Sequence, residues 1–123
     1  MAKIVIIEDD QVINQMYRMK FEASGFDVAT ASDGASGIAI AEKSRPDIIL
    51  LDLQMPRMTG DVALEKIRAT SWGKQVPVFI LTNVGKEEAP ARLKDLGVER
   101  YIVKAELTPS QVVARVKESL NLA

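Results

Sequence analysis

Short apolar runs in this chain stop at residues that can do chemistry. Ile4–Ile7 runs into Glu8, Asp9 and Asp10, Ile48–Leu51 into Asp52, Val78–Leu81 into Thr82 and Asn83, and Tyr101–Val103 into Lys104. Carboxylates from separate strands repel at contact distance, which raises their pKa values unless a cation sits between them. Mg²⁺ suits such a set, because it is a hard ion that takes oxygen ligands, keeps waters and commonly bridges one or two carboxylates to a phosphate. Glu8, Asp9 and Asp52 are therefore candidate Mg²⁺ ligands, and Asp10 is better placed to cap the helix that follows. A lone Asp after a strand is usually a turn or cap residue. Three carboxylates with a hydroxyl and a lysine at neighbouring strand ends outweigh that plainer reading.

Composition removes most other chemistries. The 123 residues contain no cysteine and no histidine, so disulfide scaffolds, thiolate or imidazole metal sites and Ser-His-Asp catalysis are excluded. The net charge is −1, which provides no overall field to draw the chain to nucleic acid or to an anionic membrane. The apolar run after Met1 is too short for a signal-peptide core, and no later stretch approaches the ~20 apolar residues of a membrane helix. A cytoplasmic domain without membrane insertion is expected.

The elements that must position these residues are legible from patterning. The five apolar runs Ile4–Ile7, Val28–Ala31, Ile48–Leu51, Val78–Leu81 and Tyr101–Val103 read as strands, and three are apolar without alternation, as strands buried on both faces are. The segments between them carry helix signals. Thr108-Pro109-Ser110-Gln111 is a capping box followed by the stripe Val112, Val113, Val116 and Leu120. A first helix runs from about Asp10 and is closed by Gly25, and helices two and three follow Asp33-Gly34 and Thr59-Gly60. A fourth is expected with Ala89, Leu93 and Leu96 as its stripe, Pro90 in its first turn and Gly97 closing it. Strand and helix alternating five times predict one α/β domain over 1–123, a doubly wound parallel sheet in the flavodoxin-like order 2-1-3-4-5 with helices on both faces. In that order ligands bind beyond strands one and three, where Glu8, Asp9 and Asp52 fall.

With these residues placed, the chain resembles the receiver domain of two-component response regulators, in the stand-alone, chemotaxis-regulator-like form, over essentially its whole length. The resemblance rests on Ile7-Glu8-Asp9-Asp10, on Pro46-Asp47-Ile48-Ile49-Leu50-Leu51-Asp52-Leu53-Gln54-Met55-Pro56 with Met58-Thr59-Gly60, on Leu81-Thr82-Asn83 and on Tyr101-Ile102-Val103-Lys104. It implies a phosphorelay switch in which Asp52 accepts a phosphoryl group from a phosphohistidine on a sensor histidine kinase or phosphotransfer protein. It further implies that Asp9, Asp52 and the Gln54 backbone carbonyl bind Mg²⁺ directly, with Glu8 acting through a water. Lys104 would pair with the phosphoryl oxygens, and Thr82 with Tyr101 would form the switch that alters the surface of helix four, strand five and helix five for a downstream protein. Such a domain phosphorylates and dephosphorylates itself and is not a turnover enzyme. A phosphorylation-dependent dimer is an assembly that the resemblance leaves open.

Two positions depart from the family's usual pattern. Lys104 is followed by Ala105 where a proline is common, often with a cis bond; a cis bond to a non-proline residue costs ~2.5–4 kcal/mol, so a trans bond and a re-routed loop are expected, with the reach of Lys104 most exposed to the change. Asn83 stands where a small residue is common, and its amide is expected to narrow access to Asp52; equal dephosphorylation rates in Asn83→Ala would dismiss that. Tyr101 reads equally well as a strand-end aromatic at the core boundary, and Trp72 as a partly exposed loop residue. No DNA-binding segment follows the last helix before Leu120-Asn121-Leu122-Ala123, so output is expected through a protein partner and not through nucleic acid. The competing readings are a flavodoxin-like cofactor module, which the acidic first turn disfavours, and a Mg²⁺-dependent phosphohydrolase, which lacks a second acid at position 54.

Overall fold

The computed structural model of the chain describes residues 1–85 and 89–122. Five strands, β1 (Lys3–Ile7), β2 (Asp27–Ala31), β3 (Ile48–Asp52), β4 (Val78–Thr82) and β5 (Arg100–Val103), form one parallel sheet in the order β2-β1-β3-β4-β5. The helices are α1 (Gln11–Ala23), α2 (Gly34–Ser44), α3 (Gly60–Arg68), a 3₁₀ helix over Ala91–Leu96, and α4 (Pro109–Ser119).

Alternation along the strands feeds two cores. Ile4, Ile6, Ile48, Leu50, Phe79 and Leu81 face one side and pack with Tyr17 and Phe21 of α1 and with Val112 and Val116 of α4. Val5, Ile7, Ile49, Leu51, Val78 and Ile80 face the other, against Ala41 of α2, Leu64 and Ile67 of α3 and Leu93. With both faces covered, the strands have no polar side to show, which is why they read as unbroken apolar runs. Ile7 lies level with both Ala31 and Leu51, and Asp52 with Leu81, so the residues just past β1, β3, β4 and β5 emerge along one edge. Neighbouring strands switch direction of winding between β1 and β3, and the crevice opens there.

Local chemistry sets the element ends. Asp10 accepts hydrogen bonds from the Val12 and Ile13 amides at 3.0 and 3.1 Å, so it caps α1 as its sequence position implies. Both halves of the Thr108–Gln111 capping box form, with Pro109 opening α4. Gly25 and Gly97 adopt left-handed φ of 93° and 71°, closing α1 and the 3₁₀ helix. The fourth helix differs from expectation. Pro90 is an extended residue (ψ 133°) outside the helix, and Ala89 lies before it. Proline disfavours the helical region for the residue that precedes it, so Ala89 cannot be wound in; what remains is six residues, begun by a Leu93 amide donating to the Pro90 carbonyl at 3.1 Å. Ala89 and Leu96 still pack against the second core, so the expected apolar stripe is present although the full helix around it is not. Among the described residues no helix is long and apolar enough to cross a membrane.

Arg68, at the end of α3, ties this region together. Its guanidinium donates to the carbonyls of Leu96, Gly73, Val76 and Gly97 at 2.7 to 3.0 Å, fastening the 3₁₀ helix to the α3–β4 loop. Arg68→Ala is expected to lower stability by about 2–3 kcal/mol, since charged hydrogen bonds contribute ~1.5–3 kcal/mol each but the exposed carbonyls regain water. Arg68→Lys recovers little, because one ammonium cannot span four acceptors. Urea unfolding read from Trp72, a half-buried turn residue that packs against the same core, measures both.

Candidate functional site

The four strand ends deliver a cluster of opposite charges. Glu8 and Asp52 are 0 % and 1 % exposed, Thr82 is buried, and Asp9 and Lys104 are half-buried. The Lys104 ammonium lies 2.8 Å from Glu8 Oε1 and 3.2 Å from Asp52 Oδ1. Glu8 Oε2 accepts the Asp10 amide at 3.1 Å, and Asp52 Oδ1 accepts the Gln54 amide at 3.3 Å. Asp52 Oδ2 is buried with no hydrogen-bond partner. Glu8, Asp9 and Asp52 each offer a carboxylate oxygen, and the three lie within 4.8 Å of one another. An all-oxygen set around an unmatched buried carboxylate oxygen fits a small hard divalent cation, which would supply the missing partner for Asp52 Oδ2.

Residues 4–117 match the family described as the response regulator receiver domain. The chain belongs to that family. This receiver domain is 32 % identical over 121 residues to the DNA-binding dual master transcriptional regulator RpaA of Synechocystis, covering 98 % of the chain and 50 % of that protein. It is 33 % identical to the alkaline phosphatase synthesis regulator PhoP of Bacillus subtilis, covering 97 % and 48 %. The chain thus spans about half the length of these curated relatives. Among solved structures, the Vibrio cholerae chemotaxis protein CheY4 superposes with a TM-score of 0.89 at 31 % identity, covering 96 % of this chain and 98 % of that one. The receiver domain of the Pseudomonas aeruginosa sensor histidine kinase PA1611, whose structure holds a magnesium ion in its active-site cleft, shares the fold with a TM-score of 0.83 at 24 % identity.

Electrostatics in the receiver site is uneven. Burial first, then the neighbouring Glu8 and Asp9, push the Asp52 carboxyl up to about 8 against the pull of Lys104. Partial burial works against the Asp9 carboxylate too, but its nearness to the Asp52 and Glu8 carboxyls and the Lys104 charge carry it below its ordinary value. The two groups titrate together, and Asp52, the more deeply buried of the pair, keeps its proton to the higher pH. Burial disfavours the Lys104 ammonium, yet Glu8 and Asp52 more than compensate and raise its pKa. In the metal-free fold burial therefore resists ionisation of Asp52, and a divalent cation would favour its charged form at the cost of the proton.

Glu8, Asp9, Asp52 and Lys104 meet here, and Gln54 links Asp52 to Thr82, whereas Tyr101 stands apart. It lies on β5 level with Ile80, half-buried against the second core, on the same sheet face as Thr82 by strand register. Its phenol pKa is raised by burial. The Lys104–Ala105 bond is trans, as no cis bond occurs among the described residues. Lys104 still reaches the acids, because its amide donates to the Thr82 carbonyl at 2.8 Å and so fixes the start of the loop before Ala105. Asn83 is exposed, and its backbone is the part tied into the site.

Three residues contribute more than the sequence reading gave them. Asn14, buried in α1, donates its amide to the Glu8 and Ala31 carbonyls at 3.0 and 3.1 Å, joining the ends of β1 and β2. Its signal was a polar residue in step with the buried Tyr17 and Phe21. Gly60 lies against the Asp52 and Leu53 backbone, closer than any side chain permits. The side chain of Gln54, for which only a backbone role was expected, bonds across to β4.

Proposed function

We propose that this receiver domain is a phosphorelay switch in which Asp52 accepts a phosphoryl group from the phosphohistidine of a sensor kinase or phosphotransfer protein, with Mg²⁺ as cofactor. The observation that carries the reading is the buried Asp52 carboxyl, with one unmatched oxygen, held between Lys104 and the oxygens of Glu8 and Asp9. Asp9, Asp52 and the Gln54 carbonyl would hold the cation directly, and Glu8 through water. When bound, Mg²⁺ neutralises charge on the transferring phosphoryl oxygens. An ionised Asp52 oxygen attacks phosphorus, the P–N bond breaks, and its electron pair stays with the partner's imidazole. Phosphoryl transfer needs chiefly positioning and charge stabilisation, and the site's fixed, buried groups meet that need. Lys104 pairs with a phosphoryl oxygen as a point charge. The magnesium in the PA1611 receiver domain supports the same ion here.

The partner surfaces follow from what surrounds the acceptor. Val12, Met16 and Met19 are 77, 44 and 67 % exposed at helical spacing on α1, beginning beside Asp10, and this apolar face supports docking of a helix that presents the phosphohistidine. On the other side, an open groove of about 590 Å³ lined by Gly85, Arg100, Tyr101, Val103 and Glu106 runs along the β5 edge. A hydroxyl movement at Thr82 that lets Tyr101 turn inward would reshape this groove for a downstream protein, biasing an existing equilibrium. A cytoplasmic location belongs to the same reading.

Intact-mass measurement after incubation with Mg²⁺ and a small acyl phosphate tests it. The expected result is one phosphoryl adduct on the parent chain that disappears with EDTA and in Asp52→Asn. An adduct that persists in Asp52→Asn, or none in the parent, overturns the assignment.

A further inference from the structure

We propose that the side-chain amide of Gln54 is a latch that holds Thr82 and the chain beyond β4 in the resting arrangement, and that its release is the step coupling Asp52 to the distal surface. The inference rests on the reading of Asp52 as acceptor and assigns Gln54 as a positioning residue that acts through Thr82.

Gln54 Nε2 donates to Thr82 Oγ1 at 3.0 Å, and Gln54 Oε1 accepts from the Asn83 amide at 3.0 Å and from the Thr82 hydroxyl at 3.4 Å. Thr82 Oγ1 also accepts the Val84 amide at 3.2 Å. A hydroxyl has one hydrogen and two lone pairs, so all its capacity is in use. The one hydrogen it could offer a phosphoryl group is committed to Gln54, through the longest and weakest bond of the set. Gln54 meanwhile touches the acceptor from the other end, its backbone amide donating to Asp52 Oδ1. The same residue therefore contacts Asp52 through its main chain and Thr82 and Asn83 through its side chain. New oxygens on Asp52 compete for the Gln54 amide and for the Thr82 hydrogen together. Once Thr82 turns, both of its bonds to Gln54 are gone; Val84 loses its acceptor outright, and Asn83, which leads with it toward Gly85 at the β5 groove, is left on a Gln54 amide that nothing else holds.

Gln54 is exposed, so its replacement leaves the core intact. In the metal-free, unphosphorylated chain, Gln54→Met is expected to accelerate hydrogen exchange of the Asn83 amide roughly tenfold, the loss of about one hydrogen bond, with no change at Leu51 or Ile80. It is also expected to move the Tyr101 resonances toward their phosphorylated positions before any donor is added. Gln54→Glu keeps an oxygen for the Asn83 amide but no donor for Thr82, so Asn83 protection persists while the Thr82 methyl resonance moves. Unchanged Asn83 protection in Gln54→Met overturns the latch, even if the parent is phosphorylated normally. Failure of the parent to form an adduct removes the acceptor reading instead, and the exchange result then decides separately whether Gln54 holds Thr82 and Asn83.

Discussion

Gly60→Ala is expected to lower stability by about 2–3 kcal/mol and to slow phosphoryl adduct formation about a hundredfold, although residue 60 carries no chemistry. A Cβ at this position would press into the Asp52 carbonyl oxygen and lie 2.7 Å from the Leu53 Cα. Both are backbone atoms at the end of a fully buried strand, so they cannot yield as a side chain would. The start of α3 must back away, breaking the 2.9 Å hydrogen bond from the Gly60 amide to the Leu53 carbonyl and dragging Asp52 from its partners. In an ordinary helix the same change gains up to ~1 kcal/mol, so the expected sign is opposite to propensity. Gly34→Ala is the control: its nearest neighbours are the Met58 sulfur and side-chain carbons, which can rotate away, and little loss is expected. Urea denaturation gives the stability difference and timed intact-mass measurement the rate. Equal behaviour of the two variants would mean that close packing of α3 on β3 does not position Asp52.

The second large effect concerns pH. Asp52 is pushed up to about 8 in the metal-free fold, mainly by burial, whereas an unfolded-chain aspartate titrates near ~3.9. Between those values the folded state holds a proton that the unfolded chain has released, so stability falls as pH rises through this window and levels off above it. At ~1.4 kcal/mol per pKa unit the difference sets a ceiling of about 6 kcal/mol on the loss. Asp9, lowered in the fold, adds stability that is lost only as pH falls below the ordinary carboxylate range, and Lys104, raised in the fold, only as pH rises beyond the ordinary lysine range. Neither confounds the window. Asp52→Asn is therefore expected to flatten the profile between pH 5 and 8 and to be more stable than the parent near pH 8. Mg²⁺ binding to the parent is expected to strengthen with pH toward 8 and to release protons below it, and to raise Tm far more in the parent than in the variant. Calorimetric melts at several pH values, with Mg²⁺ or EDTA, measure each part. A parent that is most stable near pH 8 without metal would show that burial does not raise the Asp52 pKa and would overturn this expectation.

Much of this was determined by the chain's local chemistry. Residues such as Ile48 to Leu51 must be buried on both sides wherever they lie, and Asp10, Thr108 and Gly97 cap or close helices through bonds to their own neighbours. The alternation of such elements specifies a parallel doubly wound sheet, whose strand ends bring Glu8, Asp9, Asp52, Thr82 and Lys104 together. Local signals failed where a neighbour outside the segment, or the conformation of one residue, decided the outcome. Pro90 turned an expected helix into a short 3₁₀ segment, and the contacts of Asn14, Gly60 and Gln54 involve groups far along the chain.

Residue types and their order thus determined which side chains converge, because burial and hydrogen-bond capping act over a few residues and leave a periodic trace. Only the tertiary structure decided the burial that raises the Asp52 pKa, the hold of Gln54 on Thr82 and the fit of Gly60 against β3. Those depend on depth from solvent and on distances between elements, which vary by ångströms while the sequence pattern stays the same.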